Sequence, residues 1–273
     1  MFNQTAYALG ANRSCIRELF EYGRSRAAIV GPENVYDYSL GNPSIPSPKG
    51  VNDAIRDILL DTPSLLVHGY TSATGDLEAR KAIAKDLNTR YGADTKPEEF
   101  FLGCGAAPEL CSVFRALSVP GGELIAVAPY FPEYRPFAQE AGLQFKVVPP
   151  DVPDFQISLP RLEALITPHT QAVLINTPNN PSGVVYTRET LQELAALLTR
   201  KAESYGHPIY LISDEPYREL LFTGTEETYP ARFYDNTITC YSFSKSLSLP
   251  GERIGYLAVN PKAEQAMTIA EVC

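Results

Sequence analysis

The stretch QAVLINTPNNPSG (residues 171–183), with the TRETLQELAALLTRKAESYG (187–206) and PIYLISDE (208–215) that follow it, decides the fold. AVLI is a short, continuous apolar run that ends in residues of turn composition. A helical stretch follows, then a second apolar run. Strand, helix and strand in that order, with the strands apolar along their length, describe a parallel sheet buried on both faces.

The same alternation extends in both directions. EEFFLGCG leads into AAPELCSVFRALS, and GELIAVAPY into FPEYRPFAQEAG; FKVVPP precedes the opening stretch, and ITCYSFS and RIGYLAVN follow it. The expected architecture is therefore α/β and three-layered, a mostly parallel sheet with helices on both faces. Upstream, Ile16, Leu19 and Phe20 predict a helix over 11–24. VYDYSLGNPSIPSP (35–48) reads as a short strand running into a Pro/Gly-rich turn. Helices are expected at 49–61 and 74–92, the second with Leu77, Ile83, Ala84 and Leu87 near one stripe. Thr74 and Asp76 are available as its caps, and Gly92 follows its end. We expect residues 1–45 to be an N-terminal helix and arm, and 46–273 one large domain.

Composition narrows the function. The chain has 273 residues, 44% of them apolar and 20% charged, an ordinary globular balance. Its net charge, 23 − 32 = −9, argues against non-specific nucleic-acid binding and against an anionic membrane surface. No apolar run approaches a membrane span. The five cysteines are scattered and odd in number, and they read as reduced thiols of a cytoplasmic chain. The start carries no basic segment followed by an apolar core, so no signal peptide is expected. His68, His169 and His207 lie far apart without metal-ligand spacing, and no metal is expected.

In sheets of this kind ligands sit at the carboxyl ends of the strands. Five such ends here are polar, glycine-rich or aromatic: GCGAAPE (103–109), APYFPEY (128–134), NTPNNPSG (176–183), SDEPY (213–217) and SFSK (242–245). Asp214 directly follows an apolar strand, so it is desolvated unless a cation or donor meets it. It reads either as a cap or ion-pair partner, or as a carboxylate that holds a proton on a ligand's ring nitrogen. Lys245 is an ordinary surface lysine or, if half-buried, a nucleophilic amine. Arg253, Ser242 and Ser244 offer donors suited to a phosphate. GCGAAPEL is a tight turn or an anion site at a helix start; Pro108 stands where G-x-G-x-x-G would need its third glycine. NNPSG is a plain turn or one that aims an amide at a ligand. The aromatics of PYFPEY are core or a stacking face.

Together SFSKSLSLPGERIGY, NNPSG and SDEPY, in their order along the chain, resemble the class I/II aminotransferases of the fold type I, pyridoxal-phosphate-dependent superfamily. The likeness runs from YSLGNPSIPSP through GERIGYLAVNP. It implies the cofactor pyridoxal 5'-phosphate, held covalently by Lys245 as a Schiff base, with Lys245 afterwards moving the substrate proton. It implies that Asp214 pairs with the pyridine nitrogen and that Asn180 and Tyr217 bond the phenolic oxygen. Ser242, Arg253 and the backbone N–H groups of Ala106 and Ala107 would hold the phosphate, with Phe131 stacked on the ring. Tyr70, in HGYTSATGDLEAR, would reach the phosphate of a neighbouring subunit in a homodimer. Gly41, in LGNP, would lie near the substrate carboxylate, with Asn180 also on the substrate side. The implied reaction passes an amino group between an amino acid and a 2-keto acid.

Family members carry a further C-terminal small domain, including an arginine for the substrate's α-carboxylate. Here the chain stops at Cys273 in a helix-like segment, so that domain is expected to be absent or truncated, and the chain to bind cofactor weakly and turn over poorly. Carbon–sulfur lyases and decarboxylases share these cofactor residues and remain alternatives, as does a catalytically weak cofactor-binding fragment. Ser242–Lys245 also fits S-x-x-K of penicillin-binding proteins, but no K-T-G or S-D-N accompanies it, and a serine ending a strand does not open a helix as that motif requires.

Overall fold

A computed structural model describes residues 2, 4–11 and 15–273. The chain divides into two compact units, 1–46 and 47–273. The first contains α1 (Gln4–Ala11) and α2 (Cys15–Val30), and no residue of α2 is buried. The helix expected over 11–24 is thus found from Cys15 and runs further, to Val30; residues 12–14 lie outside the described residues. The strand expected at the start of 35–48 does not form. Tyr36 and Tyr38 are exposed, and the segment pairs with no other strand. Without a ladder partner an extended segment is not a strand, whatever its propensity.

The second unit opens with α3 (Lys49–Asp61), α4 (Ser64–Val67) and α5 (Leu77–Tyr91). The Asp76 side chain accepts from Ala79 N at 2.9 Å and caps α5. Gly92 closes it in the left-handed conformation. Thr74 lies outside the helix, its carbonyl accepting from Leu102 N at 3.1 Å. Then follow β1 (Phe100–Gly103), α6 (Ala106–Ala116), β2 (Glu123–Val127), α7 (Tyr134–Glu140), β3 (Gln144–Val148) and α8 (Leu159–Leu165). The last part is β4 (Thr170–Asn176), α9 (Arg188–Tyr205), β5 (Tyr210–Asp214), β6 (Thr237–Ser242), α10 (Phe243–Ser246), β7 (Gly255–Val259) and α11 (Ala266–Val272).

The seven strands form one sheet in the order β1-β7-β6-β5-β4-β2-β3. Pairings from β6 through β5, β4 and β2 to β3 are parallel; β7 runs antiparallel to both β6 and β1. The period-2 alternation divides the core in two. Leu124, Ala126, Ala172, Leu174, Tyr210 and Ile212 face a cluster with α6, α7 and α11. Ile125, Val127, Val173, Ile175 and Leu211 face one with α8 and α9. α9 meets the sheet with Leu191, Leu194, Ala195 and Leu198, the i, i+3, i+4, i+7 stripe of a covering helix. A third cluster under α5 packs Leu87 and Tyr91 on Phe100, Tyr241 and Tyr256. The sheet is thus three-layered, and its loops at the carboxyl ends of β2, β4, β5 and β6 emerge along one edge.

Candidate active site

Asp214 ends β5 and is 5% exposed. The Tyr134 hydroxyl, at the start of α7, donates to its Oδ2. Its Oδ1 is buried and has no hydrogen-bond partner. Burial pushes the carboxyl up to about 7, with Glu215 adding to the rise and the Tyr134 bond opposing it. A carboxyl in this state is half-ionised near neutrality and presents one unsatisfied oxygen. It suits an N–H donor, best a cationic one.

Two other strand-end loops converge there. Asn176, the last residue of β4, donates through Nδ2 to Asp214 O at 2.8 Å and accepts from Asn180 N at 2.6 Å. Asn180 in turn hydrogen-bonds the Tyr217 side chain. Burial, then the Asp214 charge, raise the Tyr217 phenol, so it stays a donor at neutral pH. Phe131 sits edge-on to Tyr134, centroids 5.6 Å apart.

The third group is a cradle of donors. Gly105 takes φ +99° before α6, a backbone that only glycine adopts readily. A Cβ there would lie 3.0 Å from Arg253 Nη2 and 3.7 Å from Ser242 Oγ. The first N–H groups of α6, at Ala106 and Ala107, open the helix at this spot. Arg253 itself has φ +54°, a non-glycine residue in the left-handed region at a cost of about 1–2 kcal/mol. Gly255 allows the close approach, since a Cβ there would meet Gly105 Cα at 2.7 Å and Tyr241 O at 2.3 Å. A guanidinium, a hydroxyl and a helix start brought together at Gly105 are groups suited to an oxyanion.

Lys245 is half-buried in α10, whose cap is Ser242: its Oγ accepts from Ser244 N at 3.1 Å. Burial lowers the lysine's pKa, which enlarges its neutral, nucleophilic fraction. Ser242 therefore ends a strand and also caps one helical turn, so strand placement by itself does not exclude an S-x-x-K reading. Ser242 Oγ donates to Ser244 Oγ at 2.7 Å.

Of the other expected positions, Tyr70 is fully exposed and Gly41 belongs to the 1–46 unit. Sequence reasoning passed over Tyr134, Gly105 and Asn176. Each lay inside a strand-end segment already marked, but only spatial proximity gives it a role. Among the described residues no group of three or more His, Cys, Asp or Glu side chains is placed to hold a metal.

The family description "Aminotransferase class I and II" matches residues 33–271. The chain belongs to the class I and II aminotransferases. An aspartate aminotransferase of Thermotoga maritima is 35% identical over 249 residues, covering 90% of this chain and 63% of that protein. A probable aspartate/prephenate aminotransferase of Thermus aquaticus is 34% identical over 228 residues, covering 82% and 56%. An aminotransferase from Eubacterium rectale superposes with a TM-score of 0.96 and 49% identity, over 100% of this chain and 69% of that one. The Thermus thermophilus aspartate aminotransferase with maleate gives 0.83 and 29%, over 100% and 68%. The chain thus spans about three fifths of the length of the curated relatives it matches. Members of its family depend on pyridoxal phosphate.

Proposed function

We propose that the chain acts as a pyridoxal-phosphate-dependent aminotransferase, transferring an amino group between an amino acid and a 2-keto acid. The observation that carries this is the buried Asp214 carboxyl with Oδ1 unpaired. A protonated ring nitrogen supplies the donor it lacks, and the Gly105–Ser242–Arg253 cradle, which a Cβ would fill, fits a phosphate. When bound, the cofactor supplies an electron sink for the substrate's α-carbon.

The chain's own groups then take these parts. Asp214 keeps the ring nitrogen protonated. Lys245 would supply the amine that holds the cofactor and the base that moves the substrate proton. Asn180 and Tyr217 donate to the phenolic oxygen, and Phe131 covers the ring. Ser242, Arg253 and the amides of Ala106 and Ala107 would hold the phosphate, and the family resemblance assigns Gly41 to the substrate carboxylate. Residues 1–45 serve as an arm and 46–273 as the cofactor-binding domain.

The relatives named aspartate aminotransferase, and the one solved with maleate, support an acidic amino acid as donor. A homodimer is supported by exposed apolar side chains on α3 and α4 (Leu59, Leu60, Leu65 and Leu66) and by fully exposed Tyr70, which would reach a neighbouring subunit's phosphate. Five free cysteines support a cytoplasmic location.

The test is a visible absorption spectrum on adding pyridoxal 5'-phosphate. A lysine-bound band that disappears in Lys245→Ala is expected, followed by turnover with aspartate in a donor panel. No band at saturating cofactor would sink the reading.

A further inference from the structure

Arg218 is 3% exposed and lies one residue beyond Tyr217. Its Nε donates to Glu215 Oε2 at 2.5 Å and its Nη1 to the Tyr256 hydroxyl at 2.8 Å. The guanidinium carbon stands 4.7 Å from the Tyr241 ring centroid, 5.1 Å from Tyr229 and 5.8 Å from Tyr91. The remaining nitrogen, Nη2, has no hydrogen-bond acceptor and is left to these ring faces.

A buried ion pair of this kind is weak support for stability, because desolvation consumes most of the attraction. Its placement suggests another role. Glu215 and Arg218 bracket Pro216 and Tyr217, and Arg218 N donates to Glu215 O at 3.3 Å, so the pair closes the turn that follows Asp214. The next residue, Glu219, accepts from the Tyr241 hydroxyl at 2.9 Å. That hydroxyl also shares a 2.8 Å hydrogen bond with Ser246 Oγ. Ser246 ends α10, a single turn of four residues. One turn is too short to hold its own geometry. It is pinned at its start by Ser242 and at its end by Ser246, with Lys245 between.

We propose that the Glu215–Arg218 pair in its tyrosine box, acting through Glu219 and the Tyr241 hydroxyl, is a positioning device that registers the Asp214–Tyr217 turn against the turn carrying Lys245. None of the four needs to touch cofactor or substrate; they act through Lys245 and Tyr217. The proposal rests on the functional reading of Lys245 given above, but its test does not need cofactor.

The experiment measures the pH profile of Lys245 acylation in the cofactor-free full chain, read by peptide mass spectrometry, with exposed Lys49 as internal reference. Two variants are compared with the native protein. Tyr241→Phe keeps the ring and removes the hydroxyl link. Glu215→Leu with Arg218→Met replaces the buried pair by apolar groups of similar size. In both, a released α10 turn exposes Lys245 to water, so its profile moves up from the lowered position that burial gives it. Labelling at pH 8 then falls about threefold relative to Lys49. Arg218→Lys keeps a cation in the box and restores most of the native profile. A folded Tyr241→Phe chain with an unchanged Lys245 profile overturns the proposal, whether or not the double variant folds. Cofactor binding, scored separately, reports on the functional reading alone.

Discussion

Gly105 and Arg253 are separated by most of the chain and meet at one point. The Gly105→Ala Cβ would stand 3.0 Å from the Arg253 guanidinium and force alanine to φ +99°. We expect this variant to bind pyridoxal 5'-phosphate about tenfold more weakly, about 1.4 kcal/mol. Pyridoxal, which lacks the phosphate, should bind as it does to the native chain; absorbance titrations with both compounds check this. Glu109 gives a second residue-scale prediction. It is 8% exposed in the first turns of α6, and burial pushes its carboxyl from 4.5 up to about 7. A carboxyl raised on folding contributes stability below its unfolded pKa and loses it as pH rises through the folded one. The loss therefore falls between pH 4.5 and about 7. Glu109→Gln cannot ionise. It should melt like the native chain at acid pH and be more stable by about 2–3 kcal/mol at pH 8. Equal denaturation midpoints at both pH values would contradict this assignment. At this scale the sequence marked Lys245, Asp214 and Arg253 because an ionisable residue beside an apolar run is locally visible. Glu109 was not marked as titratable, since its burial comes from packing of α6 onto the sheet.

The elements were legible where their signals are local. α3 spans Lys49–Asp61 as its apolar period requires, and α9 runs from a Thr187 cap to a left-handed Gly206. α5 differs only at its start, because Asp76 rather than Thr74 supplies the capping oxygen. Asp76→Ala should cost about 1 kcal/mol in urea denaturation, whereas Thr74→Ala, outside the helix, should not show that capping loss. The segment at 35–48 misled for the opposite reason. Its aromatic and β-branched residues favour extension, but strand formation needs a neighbour to complete the ladder, and none pairs with it. α10 was not expected as a helix at all. Its single turn exists because Ser242 caps it and Tyr241 meets Ser246.

For the whole molecule, the exposed leucines of α3 and α4 bear on association. Leu60 is 74% exposed and Leu65 89%. Clusters of this kind are a mark of association. Sedimentation equilibrium should give a dimer, and Leu60→Glu with Leu65→Glu should give a monomer of unchanged helix content. A monomeric native chain would remove the proposed role of Tyr70 across a subunit boundary.

The sequence by itself determined the α/β class and marked the strand ends that carry the candidate site residues. Apolar periodicity and abrupt polarity at strand ends are properties of consecutive residues, so they survive without coordinates. Only the tertiary structure decided the antiparallel β7, the Tyr134 hydroxyl on an aspartate 80 positions away, and Gly105 against Arg253. It also enclosed Arg218 among tyrosines from four parts of the chain. Those contacts depend on strand order and on the depth at which each group is buried. Burial, through desolvation, sets the protonation that the chemistry uses.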